Sequence, residues 1–181
     1  MVKLFIPEIT TTIKVDVGSD SLDTAISLFE SDPILASAGQ DALDKLLNTK
    51  SELEGLADPV ANALAETMQS YQEQIIAMNG SVRTGLMKNS VEVTHDGDGV
   101  YMVGNTASSP DGFPYPLAIE TGRRAVYPVD AKVLHWVDGG RHVFAKRSRA
   151  VDAKPFVQPS IDNTMEDAER IIDDYMKTIF G

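Results

Sequence analysis

Two runs of β-forming residues split by a pair of glycines constrain this chain most tightly. Val133-Leu134-His135-Trp136-Val137 and His142-Val143-Phe144-Ala145-Lys146 are rich in β-branched and aromatic side chains, and Asp138-Gly139-Gly140-Arg141 lies between them. Tight hairpin loops need positive φ, which glycine supplies without steric cost. With Gly139 and Gly140 as the loop, Trp136 faces Val143 and His135 faces Phe144. Side chains alternate along a strand. One face therefore carries Leu134, Trp136, Val143 and Ala145, and the other carries Val133, His135, Val137, His142 and Phe144. Both faces are largely apolar, which predicts cover on both sides, from the same domain or from a neighbouring subunit.

The hairpin sits in a segment, Asp111 to Asp162, with half of the sixteen Lys and Arg residues, the only Trp and two of the three His. The net charge of the chain is −11, unevenly placed. Residues 1–79 carry 13 acids and 4 bases, residues 80–122 carry 5 and 2, residues 123–154 carry 3 and 8, and residues 155–181 carry 6 and 2. An acidic chain with one basic strip argues against binding nucleic acid over its whole surface. It suits assembly in which the strip meets an acidic face next door.

The remaining pattern predicts an α+β fold: a small antiparallel sheet of hairpins packed with long helices from the N-terminal half and a C-terminal amphipathic helix. A length of 181 residues suits a single domain over 1–181, with 1–54 as an arm and helices of undefined role and 55–181 as the α+β core. Residues 2–17 read as short strands or a pairing arm with Ile9, Ile13, Val15 and Val17 as apolar points. Helices are expected over 21–31 and 33–53, with Pro33 opening the second after Asp32. Asp58-Pro59 reads as a cap and first turn, and Val60, Leu64, Met68, Tyr71, Ile75 and Met78 form one helical face ending at Asn79-Gly80. A short helical piece is expected around Leu86–Asn89. Val91–His95 and Gly99–Val103 read as a second hairpin about Asp96-Gly97-Asp98. Leu117–Thr121 reads as a brief helix stopped by Gly122, and Ala125–Tyr127 as a short strand. The prolines of Lys154–Pro159 predict an extended or turned lead-in. The last helix would carry Ile161, Met165, Ala168, Ile172, Met176 and Ile179 on one face.

Sites of chemistry find little support. There are no cysteines, so disulfides and thiolate metal sites are excluded. His135 and His142 share a face diagonally, but a zinc site needs three or four placed ligands, and only Asp130 or Asp138 could add one. Asp96-Gly97-Asp98 has the alternating acids of a calcium loop, yet Val100 and Ala107 stand where further ligands belong. There is no Gly-x-Ser-x-Gly, GxGxxG or P-loop. No catalytic, cofactor-binding or metal residue is assigned, and no enzyme activity is expected. MVKLFIPEITTT lacks the apolar run of a secretory signal, and no run reaches the length of a membrane span.

Three pieces in fixed order resemble a known family. Arg83–Val91 (RTGLMKNSV), Tyr115–Gly122 (YPLAIETG) and Lys154–Ile161 (KPFVQPSI) are similar to segments of the HK97 gp10-like family of tailed-phage neck, head-tail joining and tail-completion proteins. The resemblance covers about residues 55–180. Thr121 stands where that family often has an aromatic, and nothing before residue 55 matches.

The resemblance implies a structural virion protein, assembled in the bacterial cytoplasm, that forms a homo-oligomeric ring around the DNA channel. It implies no cofactor and no membrane. Its partners would be copies of itself, neighbouring connector and tail proteins, and DNA passing without sequence-specific contact. Glu120, Arg123, Arg124, Arg141, Lys146, Arg147, Arg149 and Lys154 are the expected interface residues. Gly85, Gly122, Trp136, Gly139, Gly140, Pro155, Phe156 and Pro159 are the expected structural ones, with Gly85 and Gly122 ending short helical pieces and Phe156 anchoring the last helix. Two other readings stay open on the residues alone: a small hydrolase using His135 and His142, and a DNA-contacting adaptor through the basic strip 141–154.

Overall fold

The structure is a computed structural model that describes residues 9–16, 18, 20–31, 39–80, 85–108, 113–138 and 140–180. Expectations for Pro33, Arg83, Thr84 and Gly139 lie outside the described residues. In chain order the elements are β1 (Ile9–Lys14), α1 (Asp20–Ser31), α2 (Gln40–Glu54), α3 (Ala57–Met78), a 3-10 turn (Lys88–Ser90), β2 (Val91–Gly97), β3 (Val100–Asn105), α4 (Tyr115–Glu120), β4 (Leu134–Asp138), β5 (Arg141–Ala145) and α5 (Val157–Phe180). The fold is α+β, with a three-stranded sheet in the order β1-β3-β2 and a two-stranded sheet β4-β5.

The chain divides into two compact units: one of Met1–Thr10, Tyr71–Glu92 and Gly104–Ile161, the other of Thr11–Ser70, Val93–Val103 and Asp162–Gly181. The division does not fall near residue 54, because β1, β2, β3, α3 and α5 each contribute residues to both units.

The second unit is built around an apolar cluster of Leu56, Val60, Leu64 and Ile171, with Ile13, Val15, Leu53, Ala168 and Tyr175 packed on it. Strand β1 alternates half-buried and exposed along its length, the period-2 signature of a one-sided strand. Helices α1 and α2 pack together, and Lys50 of α2 holds Asp23 of α1 at 2.6 Å. Asp58 is not a helix cap. It lies inside the first turn of α3, where its carboxylate accepts the Gly99 N–H and the Tyr101 hydroxyl, both at 3.2 Å, and contacts His95 Nε2 at 3.1 Å. These contacts, the Gly99 N–H first, hold the Asp58 carboxyl below its usual range. Asp96-Gly97-Asp98 lies at the turn of the β2–β3 hairpin, as the sequence pattern predicts. Among the described residues no group of three metal-ligating side chains converges.

On α3 the expected Val60, Leu64 and Met68 are buried, with Ala61 and Ala65 beside them, but in the C-terminal half the buried line continues through Gln72 and Ile76 instead of Tyr71 and Ile75, and Met78 is 85% exposed. Spacings of four throughout keep one lengthwise row of the helix inside, and this row takes in the polar Gln72. On α5 the buried residues are Ser160, Thr164 and Ile171, whereas Met165 (68% exposed), Ile172 and Met176 face outward. The helix also starts earlier than expected, so Pro159 stands in its first turn rather than in an extended lead-in. A proline there forfeits no helical hydrogen bond, since the first-turn N–H groups have no intrahelical acceptor. No helix among the described residues is long and apolar enough to cross a membrane.

Candidate subunit interface

Within the first unit, the second and third family-like segments are fastened to each other. Glu120, the last residue of α4, accepts the backbone N–H groups of Phe156 at 2.7 Å and Val157 at 3.2 Å. Helix α5 starts at Val157, so this carboxylate satisfies two donors that the helix cannot pair internally, and its charge suits the positive end of the helix dipole. Phe156 is fully buried beside this cap. Two residues after Glu120, Gly122 has φ +74, and a Cβ there would meet Ala153 N at 2.8 Å and Val151 O at 2.9 Å. Only glycine fits that close backbone approach. Next, Arg123 and Val151 exchange two backbone hydrogen bonds at 2.8 and 2.7 Å, and Ser148 N–H donates to Val126 O at 2.8 Å. These contacts replace the expected strand at Ala125–Tyr127: the segment is tied by one isolated bridge and a loop hydrogen bond instead of a ladder.

Lys154 closes the clasp at its other side. Its ammonium donates to Asn79 O at 2.6 Å, just past the C-terminus of α3, where cations complement the helix dipole. The Lys154 N–H donates to Ile119 O at 2.7 Å, and Asn79 Nδ2 reaches the carbonyls of Lys154 and Pro155 at 3.5 and 3.4 Å. In the first family-like segment, Gly85 opens a turn: its carbonyl accepts the Asn89 N–H at 2.9 Å ahead of the 3-10 turn, and what precedes it lies outside the described residues. Met87 is buried there, with its carbonyl accepting from Asn105 Nδ2 at 2.8 Å.

Two of the eight expected interface residues, Glu120 and Arg123, are half-buried, and a third, Lys154, is exposed but engaged by a neighbouring carbonyl. Glu120 is a helix cap and Lys154 a helix-end fastener. Arg123 is half-buried, its guanidinium donating to the Ser148 hydroxyl at 3.1 Å and lying 5.9 Å from the Phe113 ring centroid. Arg124, Arg141, Lys146, Arg147 and Arg149 do face outward, and among the described residues none of them forms an ion pair. Arg147 makes one long hydrogen bond, 3.5 Å, to the Tyr127 hydroxyl.

The β4–β5 hairpin has the expected register, with Trp136 opposite Val143 and His135 opposite Phe144. Its cover differs from expectation. Leu134, Val143 and Ala145 are half-buried and Trp136 is 40% exposed, so that face is partly covered. The other face is open: Val137 is 57% and Phe144 65% exposed. On it the rings of His135 and His142 stack at 5.1 Å with Nε2 and Nδ1 2.8 Å apart, and His135 stacks on Phe144 at 4.7 Å. The two histidines thus pair with each other, and neither faces a hydroxyl or thiol nucleophile in the described contacts. Gly140 has φ +80 in the loop.

Two features went unseen in the sequence. The Asp58 cluster joins residues 41 and 43 positions apart, and no local pattern announces such a contact. On α5 the side that packs closely is marked by small polar residues, Ser160 and Thr164, and not by its apolar line. No family profile, curated protein or solved structure matches the chain.

Proposed function

We propose that this chain is a structural protein of a tailed-phage particle, a subunit of a homo-oligomeric ring that joins head to tail or completes the tail end and lets DNA pass. The observation that carries the reading is the clasp. The second and third segments resembling the neck and tail-completion family are joined through Glu120, whose carboxylate accepts from Phe156 and Val157, while Gly122 lets the chain beside it approach Val151 and Ala153. What the β4–β5 hairpin and the loop after it present outward is apolar and cationic side chains, the chemistry of protein contact rather than of a paired acid, base and nucleophile. A net charge of −11 suits a channel wall, since acidic surface repels phosphate and lets DNA slide. The basic strip then belongs against a neighbouring subunit.

Light scattering on the purified protein, followed by negative-stain imaging, tests this reading. Closed particles with a central opening are expected. DNA binding measured across salt concentration separates the adaptor reading: a steep loss of affinity with salt would mean that phosphate contacts dominate, whereas weak binding at every salt concentration is expected.

A further inference from the structure

We infer that the subunit contact of this ring is head-to-tail, with the open face of the β4–β5 hairpin of one copy seated on the outward stripe of α5 of a second copy. The inference rests on the ring reading above and names its surfaces. On α5, Met165, Ile172 and Met176 are spaced seven and four residues apart, which lines them up on one side of a helix. All three are exposed. Beside them runs an acidic row, Glu166, Glu169 and Asp173, at spacings of three and four. Among the described residues these acids make no ion pair, because Arg170 and Lys177 are taken up by Asp167 and Asp174.

The hairpin has the complementary character. Val137 and Phe144 stand open on one face, and Lys146 and Arg149 follow Phe144 in the chain, both exposed and, among the described residues, in no ion pair. The dimensions also agree. The eleven residue steps of helix from Met165 to Met176 rise about 16 Å, and five-residue strands such as β4 and β5 span about 16 Å. Both partners of one complementary pair lie on the same acidic chain, and this favours a second copy over a foreign protein. Since the two patches differ, the contact is heterologous, the type that closes into rings.

The chain has no cysteine, so single-cysteine variants report contact without background. Phe144→Cys and Ile172→Cys, both at exposed positions, would be mixed and oxidised. A disulfide-linked dimer is expected from the mixture and from neither variant alone. Linkage within either variant alone, with none specific to the mixture, would mean a symmetric contact and would overturn the inference. Absence of any linkage in protein that still assembles by light scattering would also overturn it, leaving the ring reading standing on other surfaces. Protein that stays monomeric at every concentration would remove both. As a second measurement, Glu169→Lys with Asp173→Lys is expected to weaken assembly at least about tenfold, the scale of close interfacial charge pairs. Adding Lys146→Glu and Arg149→Glu is expected to recover part of that loss. Unchanged assembly in the acid variant would count against the contact.

Discussion

Removing the Glu120 carboxylate strips the acceptor from two backbone N–H groups at once. Glu120→Ala is expected to cost about 1.5–3 kcal/mol in urea unfolding, the range for hydrogen bonds to a charged group, and Glu120→Gln less, since an amide oxygen still accepts. Glycine supplies a sharper contrast. Gly122→Ala combines positive φ with backbone atoms under 3 Å from the new Cβ, while Gly140→Ala has positive φ in open space. The first is expected to cost at least ~3 kcal/mol and the second about 1 kcal/mol by thermal unfolding. Equal costs would mean that the Gly122 approach is looser than described. The sequence showed that Glu120 and Gly122 mattered but not how. A cap reaching 36 residues along the chain leaves no mark in local spacing. Lys154 is exposed, as its charge suggests, but the carbonyl at the end of α3 that engages it, 75 residues away in the chain, left no mark in local spacing either.

At the scale of elements, most boundaries were legible because glycine, proline and periodicity act locally. The β4–β5 register followed from two glycines and strand alternation alone. Helix faces were less legible, because α5 is apolar over more than half its circumference and tertiary packing selects which part is buried. Ile171 and Ile172 test that selection directly. Ile171→Ala should cost about 2–4 kcal/mol, as for a filled core position, and Ile172→Ala under about 1 kcal/mol for the unassembled chain; reversed values would restore the face read from the sequence. The contact between α3 and the β2–β3 turn has a pH signature. The folded pKa of Asp58 lies below its ordinary value, so its contribution is present above that value, about 4, and fades as pH falls through the lower folded one. Tyr101 is raised, first by desolvation and then by Asp58, so its contribution is present below about 10 and fades as pH rises through the higher folded value. Asp58→Asn is expected to flatten the acid side of the stability profile, measured as urea midpoints between pH 2 and 6. An unchanged slope there would contradict the Asp58 contacts.

For the whole molecule, the outward chemistry is one-sided: an acidic body, one cationic hairpin region, and apolar side chains open on both the hairpin and α5. Exposed apolar surface bordered by charge marks protein contact. Assembly held partly by such charges should weaken with added salt while its apolar part persists. Particle mass is therefore the most direct measurement, by light scattering across protein concentration at low and at raised salt. The expected result is a single discrete multiple of the 19.6 kDa chain at low salt, imaged as closed rings, with dissociation favoured as salt rises. A mass of 19.6 kDa at every concentration and salt would contradict the account.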